Sequence, residues 1–140
     1  MRLVGWAVHD VLVHFPGIAD QLLTRQNFPP SSVPLVEYGV GVLSEAGFDE
    51  RRAATAFNVL SSYVVTRSHF EAYQRLVSEQ QEATVNERAR EGWERLAEAI
   101  DESPHAASYV RCLGELDDPV LIFERGLDLV LRGLRDELEG

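Results

Sequence analysis

The sequence predicts an all-α fold of about seven helices in one domain. Three observations carry that reading. Apolar residues recur at steps of three and four along most of the chain, the period of one helix face. No stretch shows the strict alternation of a half-buried strand. Clusters of Pro, Gly, Ser and Asp fall where helix starts and stops need them.

Residues 3–15 are apolar nearly all round: Leu3, Val4, Trp6, Ala7, Val8, Val11, Leu12, Val13 and Phe15, interrupted by His9, Asp10 and His14. A helix of that composition is expected to be central and covered on most sides. Its valines also fit a strand, but its length favours a helix. Pro16-Gly17 ends it, and a short helix over 18–24 follows. Asn27-Phe28-Pro29-Pro30-Ser31-Ser32 is a loop in which Ser31 or Ser32 can cap the next helix, with Pro34 tolerated in its first turn.

That next helix carries Leu35, Val36, Tyr38, Val40, Val42 and Leu43 and stops at Gly47, which suits a left-handed C-terminal cap. Asp49 caps a long helix from near Glu50 to Leu76 or beyond, a rod of roughly 40 Å. Residues 77–90, rich in Gln and Glu, leave three readings open: an extension of the rod, a loop, or the start of another helix. Residues 91–102 are more firmly helical, with Trp93, Leu96, Ala97 and Ile100 as the apolar face. Ser103-Pro104 breaks that helix, residues 105–113 form a short one, and 114–119 a turn.

The last helix carries an apolar stripe through Phe123, Leu127, Val130, Leu134 and Leu138. Gly126 and Gly133 lie seven apart, on a second face. Glycine weakens a helix interior by about 1 kcal/mol relative to alanine. Two on one face therefore mark the close approach of another helix. Spacing leaves two sources for that helix, the same chain or a second copy.

Composition excludes several functions. The charge balance is 13 basic against 23 acidic residues, a net charge of −10, and no Lys occurs. DNA binding relies on clustered cations that neutralise phosphates. These Arg residues are scattered among carboxylates, so no direct nucleic-acid binding is expected. The single Cys112, among Val110, Leu113 and Leu116, excludes an intrachain disulfide and reads as an inert buried thiol. The N-terminal apolar run is broken by His9, Asp10 and His14, so it is not a signal peptide. No run reaches the roughly 20 apolar residues that a bilayer span needs. A cytoplasmic location and no membrane partner are expected.

Several segments resemble one family. Phe123-Glu124-x-Gly126-Leu127-Asp128-Leu129-x-Leu131-x-Gly133-Leu134 after Asp118-Pro119 resembles the end of the C-terminal domain of tetracycline-repressor-type (TetR) transcriptional regulators. His14-Phe15-Pro16-Gly17-Ile18-Ala19-Asp20-Gln21-Leu22-Leu23 resembles that family's His-Pro-x-Leu-Ala-x-Leu-Leu segment. Leu43-Ser44-Glu45-Ala46-Gly47-Phe48, followed by the start of the long helix, resembles its Leu-x-x-Ala-Gly-Phe. The order of these motifs covers nearly the whole chain.

The resemblance implies a small-molecule effector-binding domain that forms a homodimer through a four-helix bundle. The implied interface residues are Phe123, Gly126, Leu127, Val130, Gly133 and Leu134. Family members begin with a three-helix DNA-binding head, and nothing here resembles it. The chain is therefore expected to be an excised effector-binding body or a natural headless relative. The relative could act as a ligand-binding protein, a mixed-dimer partner or a recruited enzyme.

The resemblance also implies a pocket between the first helix, the helix after the Pro-Pro loop and the long helix. The long helix offers Phe57, Asn58, Ser61, Ser62 and Val65, the mixture of apolar area and hydrogen-bonding groups that lines ligand sites. The same residues also read as a solvated strip, with Phe57 as plain core. Trp6, His9 and Val13 on the first helix and Tyr38 and Val42 on the third complete the candidates. Trp6 and Tyr38 suit a small apolar or aromatic effector and would serve equally as core.

No metal site is expected. His9 and His14 are five apart and do not converge, and Asp10 with His14 reads as a surface ion pair. Arg67 and Glu71, four apart, read as an exposed pair. No nucleophile has an evident base and orienting group, and no Gly-rich phosphate loop follows a strand. The expectation is a non-enzymatic protein with no cofactor.

Overall fold

The computed structural model describes residues 1–25, 29–80, 103–115 and 118–139. The fold is all-α, with six α-helices and no strand among the described residues. They are α1 (Arg2–His14), α2 (Pro16–Arg25), α3 (Val33–Glu45), α4 (Glu50–Gln80), α5 (Pro104–Glu115) and α6 (Pro119–Glu139), with a single 3-10 turn at Pro30–Ser32 before α3. The helix expected around Trp93 lies outside the described residues, as do Asn27, Phe28 and the side chain of Cys112. Two compact units divide the chain: Met1–Ala72 with Phe123–Gly140, and Tyr73–Ile122.

Local chemistry sets the helix ends in the first unit. At the end of α3 the Gly47 N–H donates to the Ser44 carbonyl (3.0 Å) and the Phe48 N–H to the Leu43 carbonyl (3.2 Å). This is the paired closure of a Schellman motif, and Gly47 takes the left-handed backbone it needs, at φ 109°. Phe48 then packs beside Leu43, the apolar contact that accompanies such caps. Asp49 caps α4 as expected, accepting from the Arg52 N–H at 2.9 Å. Ser32 stands at the N-cap of α3 without capping it, because its hydroxyl donates back to the Pro29 carbonyl at 2.7 Å.

In the second unit, α5 begins at Pro104, after the predicted break. Asp118 caps α6, its carboxylate accepting from the N–H groups of Val120 (2.9 Å) and Leu121 (3.3 Å). Pro119 takes the first helical position, where no N–H is needed.

The core of the first unit is built by α4 and α6. Leu43, Phe48, Ala53 and Ala56 form one buried cluster, with Leu134 and Leu138 packed on it. Leu60, Val64, Phe123 and Leu127 form another, joined by Trp6, Val8, Tyr63, Val130 and Leu131. The apolar stripe of α6 thus packs within its own chain, with Phe123 and Leu127 buried and Val130, Leu134 and Leu138 partly buried. Arg2 pairs with Glu124 and Asp128, and Arg52 with Glu137, across the exposed edges of α6. Such surface pairs contribute about 0–1 kcal/mol each, so apolar packing holds α6 in place.

Two expectations are corrected here. The first helix is not covered on most sides, since Leu3, Ala7, Val11 and Phe15 are exposed. Glu71 is not an exposed partner of Arg67: it is buried, with its Oε2 3.0 Å from His9 Nε2. The Arg67 guanidinium instead lies 5.3 Å from the Phe70 ring centroid. Asp10 and His14 do form an exposed pair, at 3.4 Å.

Candidate functional site

Three helices each turn one regular face towards a common hollow of about 120 Å³. On α1 the lining is Val4, Gly5 and Val8, with Met1 just before the helix. On α3 it is Leu35, Val36 and Gly39, preceded by Ser32. On α4 it is Phe57, Leu60, Ser61, Val64 and Val65, and Leu22 of α2 adds to the wall. Each set repeats at steps of three and four, so the hollow is the meeting of three helical stripes. An apolar cavity of about 150 Å³ holds a benzene-sized ring elsewhere, and this one is comparable.

A second hollow of about 380 Å³ lies between the 3-10 turn, α3 and α4. Ser32, Val36, Phe57 and Ser61 line both spaces. Val33, Glu37, Val40, Ala54 and Asn58, with Pro29, bound the second alone.

Gly39 and Phe57 fit by a close approach. A Cβ on Gly39 would stand 2.5 Å from Phe57 Cδ2 and nearer still to Cε2. Only glycine lets the ring lie there. The polar atoms are largely committed. The Ser61 hydroxyl donates to the Phe57 carbonyl at 2.7 Å, with the Asn58 carbonyl at 3.1 Å. The Ser32 hydroxyl donates to Pro29. Both serines therefore present only acceptor lone pairs to the hollows.

Four of the sequence candidates meet at this site: Phe57, Ser61 and Val65 line the first hollow, and Asn58 lines the second. Six do not line either. Trp6 packs edge-on against Phe123, with centroids 4.7 Å apart. His9 is buried beside Glu71, its ring 3.9 Å from that of Phe123. Val13 is core, Val42 is half-buried away from both hollows, and Ser62 is exposed. Tyr38, at 55% exposure, faces solvent. The missed residues Val4, Gly5, Val8, Leu35, Val36, Leu60 and Val64 carry a readable signal, the repeated i, i+3, i+4, i+7 pattern.

The expected interface set also divides. Phe123 and Leu127 are 0% and 1% exposed within the single chain, so they are not available to a second copy. Gly126 opens towards Tyr63: a Cβ there would stand 2.6 Å from Tyr63 Cζ and 2.8 Å from Cε2, and closer still to the hydroxyl. That hydroxyl donates to the Phe123 carbonyl at 2.9 Å. Burial pushes the Tyr63 pKa above its usual 10.0, against the opposing pull of the Arg67 charge and of a backbone hydrogen bond at Leu127. Val130 and Leu134 are half-buried on the core clusters. Gly133 alone of the six is exposed, with nothing within 4 Å of a Cβ placed on it. Beside it, Leu129 is 66% exposed.

Among the described residues no cluster of His, Cys, Asp and Glu could hold a metal ion, and no helix is long and apolar enough to cross a membrane. Three helical faces thus converge on a largely apolar hollow within an all-α body. The family described as tetracyclin repressor-like, C-terminal domain, matches residues 3–138, and the chain belongs to that family. No curated protein and no solved structure matches it.

Proposed function

We propose that this protein is the effector-binding and dimerisation body of a tetracycline-repressor-type regulator, acting by binding rather than catalysis. The observation that carries the reading is the hollow of about 120 Å³ where α1, α3 and α4 converge. The hollow is a partly open cleft, and its aliphatic and aromatic walls favour a small apolar or aromatic effector. Gly5 lines the hollow, and a Cβ there would lie 3.3 Å from Leu127 of α6. A ligand that moves α1 at this point therefore presses on the last helix. Differential affinity for two arrangements of those helices is what a regulator requires.

The second copy is placed against the outward side of α6, at Leu129 and Gly133. An exposed leucine beside an exposed glycine on a well-formed helix fits close helix–helix contact.

Melting with a series of small aromatic compounds tests the binding reading. A compound at a hundredfold excess over its dissociation constant should stabilise the fold by about 2.7 kcal/mol. A flat response to benzene-sized and larger aromatics alike would refute it.

A further inference from the structure

Phe57 stands where the two hollows meet. The inner one, of about 120 Å³, has no charged side chain in its lining, whereas the outer one, of about 380 Å³, is bounded by Glu37 and Asn58. Phe57 is the largest side chain common to both, and its ring rests in the space that Gly39 leaves empty. It is only half-buried and sits at the edge of a core cluster, not inside one.

The polar groups around this junction are biased towards accepting. Ser32 and Ser61 have given their protons to backbone carbonyls. The Glu37 carboxylate accepts only, and the Asn58 amide is the one side chain among these four with N–H groups to offer. A net charge of −10 adds a field that draws cations and repels anions.

We propose that the ligand of this pocket is an organic cation with a small apolar head, and that Phe57 is a movable partition which that ligand turns aside. The head fills the inner hollow. The ring of Phe57 leaves its seat on Gly39 and joins the two spaces. The protonated amine then lies in the outer hollow, donating to Glu37 and to the carbonyl of the Asn58 side chain. This rests on the effector-binding reading of the same site and names the class of effector. An anion of equal length would face Glu37, and a bare hydrocarbon would use the inner hollow alone.

The test is calorimetric titration of the full chain with four probes: benzene, propylbenzene, 3-phenylpropylamine and 3-phenylpropanoate. The amine should bind at least tenfold more tightly than the carboxylate and more tightly than propylbenzene. In Glu37→Gln, an exposed position that leaves the core untouched, the amine-to-carboxylate ratio should fall below threefold. In Phe57→Leu the amine should tighten severalfold while benzene weakens, because the partition is gone and the inner wall with it. A general loss of packing would instead weaken both.

Equal binding of amine and carboxylate, or a ratio indifferent to Glu37→Gln, overturns the ligand class while leaving an effector pocket in place. Amine and benzene weakening together in Phe57→Leu overturns the partition. If none of the four probes binds, the effector-binding reading falls and takes this inference with it.

Discussion

The two glycines of α6 should respond to the same substitution with opposite signs. Gly126 and Gly133 are seven residues apart in one helix, so replacing either with alanine gains about 1 kcal/mol of intrinsic helix preference. At Gly133 nothing in the same chain lies within 4 Å of the added Cβ, so at a concentration that keeps the chain monomeric the gain should survive and Gly133→Ala should stabilise by up to about 1 kcal/mol. At Gly126 the Cβ would stand 2.6 Å from Tyr63 Cζ and nearer to its hydroxyl. That ring cannot simply swing away. It stacks at 24° on Phe123, and its hydroxyl is held by the Phe123 carbonyl.

Displacing the Tyr63 ring brings an overpacking cost of about 1–3 kcal/mol and loses a hydrogen bond of about 1 kcal/mol. Set against the helix gain, Gly126→Ala should destabilise by about 1–3 kcal/mol. Urea denaturation of both variants at one fixed protein concentration measures the contrast, since assembly makes apparent stability depend on concentration. Tyr63→Phe in the Gly126→Ala background should recover part of the loss, because the nearest contact is the hydroxyl. Stabilisation of Gly126→Ala equal to that of Gly133→Ala would refute the close packing of α4 on α6.

Other perturbations test separate parts of the chain. Leu129→Glu should turn a dimer into a monomer in sedimentation with unchanged helicity, whereas Leu127→Ala, at a position 1% exposed, should cost about 2–5 kcal/mol of fold stability; dimers persisting in Leu129→Glu would place the interface elsewhere. Gly47→Ala should lose about 1–2 kcal/mol in urea denaturation from its backbone conformation alone, since the nearest atom to the added Cβ is Leu138 Cδ2 at 3.9 Å. Tyr63 keeps its proton longer when folded than when unfolded, so its contribution is fully present below pH 10.0 and is lost as pH rises through the higher folded value; Tyr63→Phe should lose less stability than the native chain between pH 9 and 11. His9→Leu should cost about 1–3 kcal/mol by removing one buried hydrogen-bond partner of the Glu71 side chain, with thermal unfolding near neutral pH as the readout.

Much of the fold was legible because capping chemistry is local. Gly47, Asp49 and Pro104 each act on backbone groups within a few residues, and the structure uses each at the predicted boundary. Ser32 was misread because the same hydroxyl that could cap α3 reaches the carbonyl of Pro29 instead. Two acceptor and donor choices of similar energy sit within three residues, and the sequence does not rank them.

The site was legible by element and misread by rotation. On α4 the expected set was Phe57, Asn58, Ser61, Ser62 and Val65, of which Phe57, Ser61 and Val65 line the hollow with Leu60 and Val64, while Asn58 and Ser62 lie one residue round. On α1 the expected Trp6, His9 and Val13 give way to Val4, Gly5 and Val8. Each error is about one residue, or about 100° of helix. Its cause is that large or polar side chains drew attention, though here they serve the core. Trp6 and His9 pack on Phe123, and His9 faces Glu71, a partner 62 residues away that no local pattern announces. The same blindness to distant partners governs α6. Its spacing left open whether the same chain or a second copy packs on it, and Leu60, Val64, Phe48 and Ala53 pack on its stripe within the chain. Packing of that stripe leaves Leu129 and Gly133 on the outward side of α6, so in the proposed assembly Gly133 keeps its expected role and Leu129, which the pattern passed over, joins it.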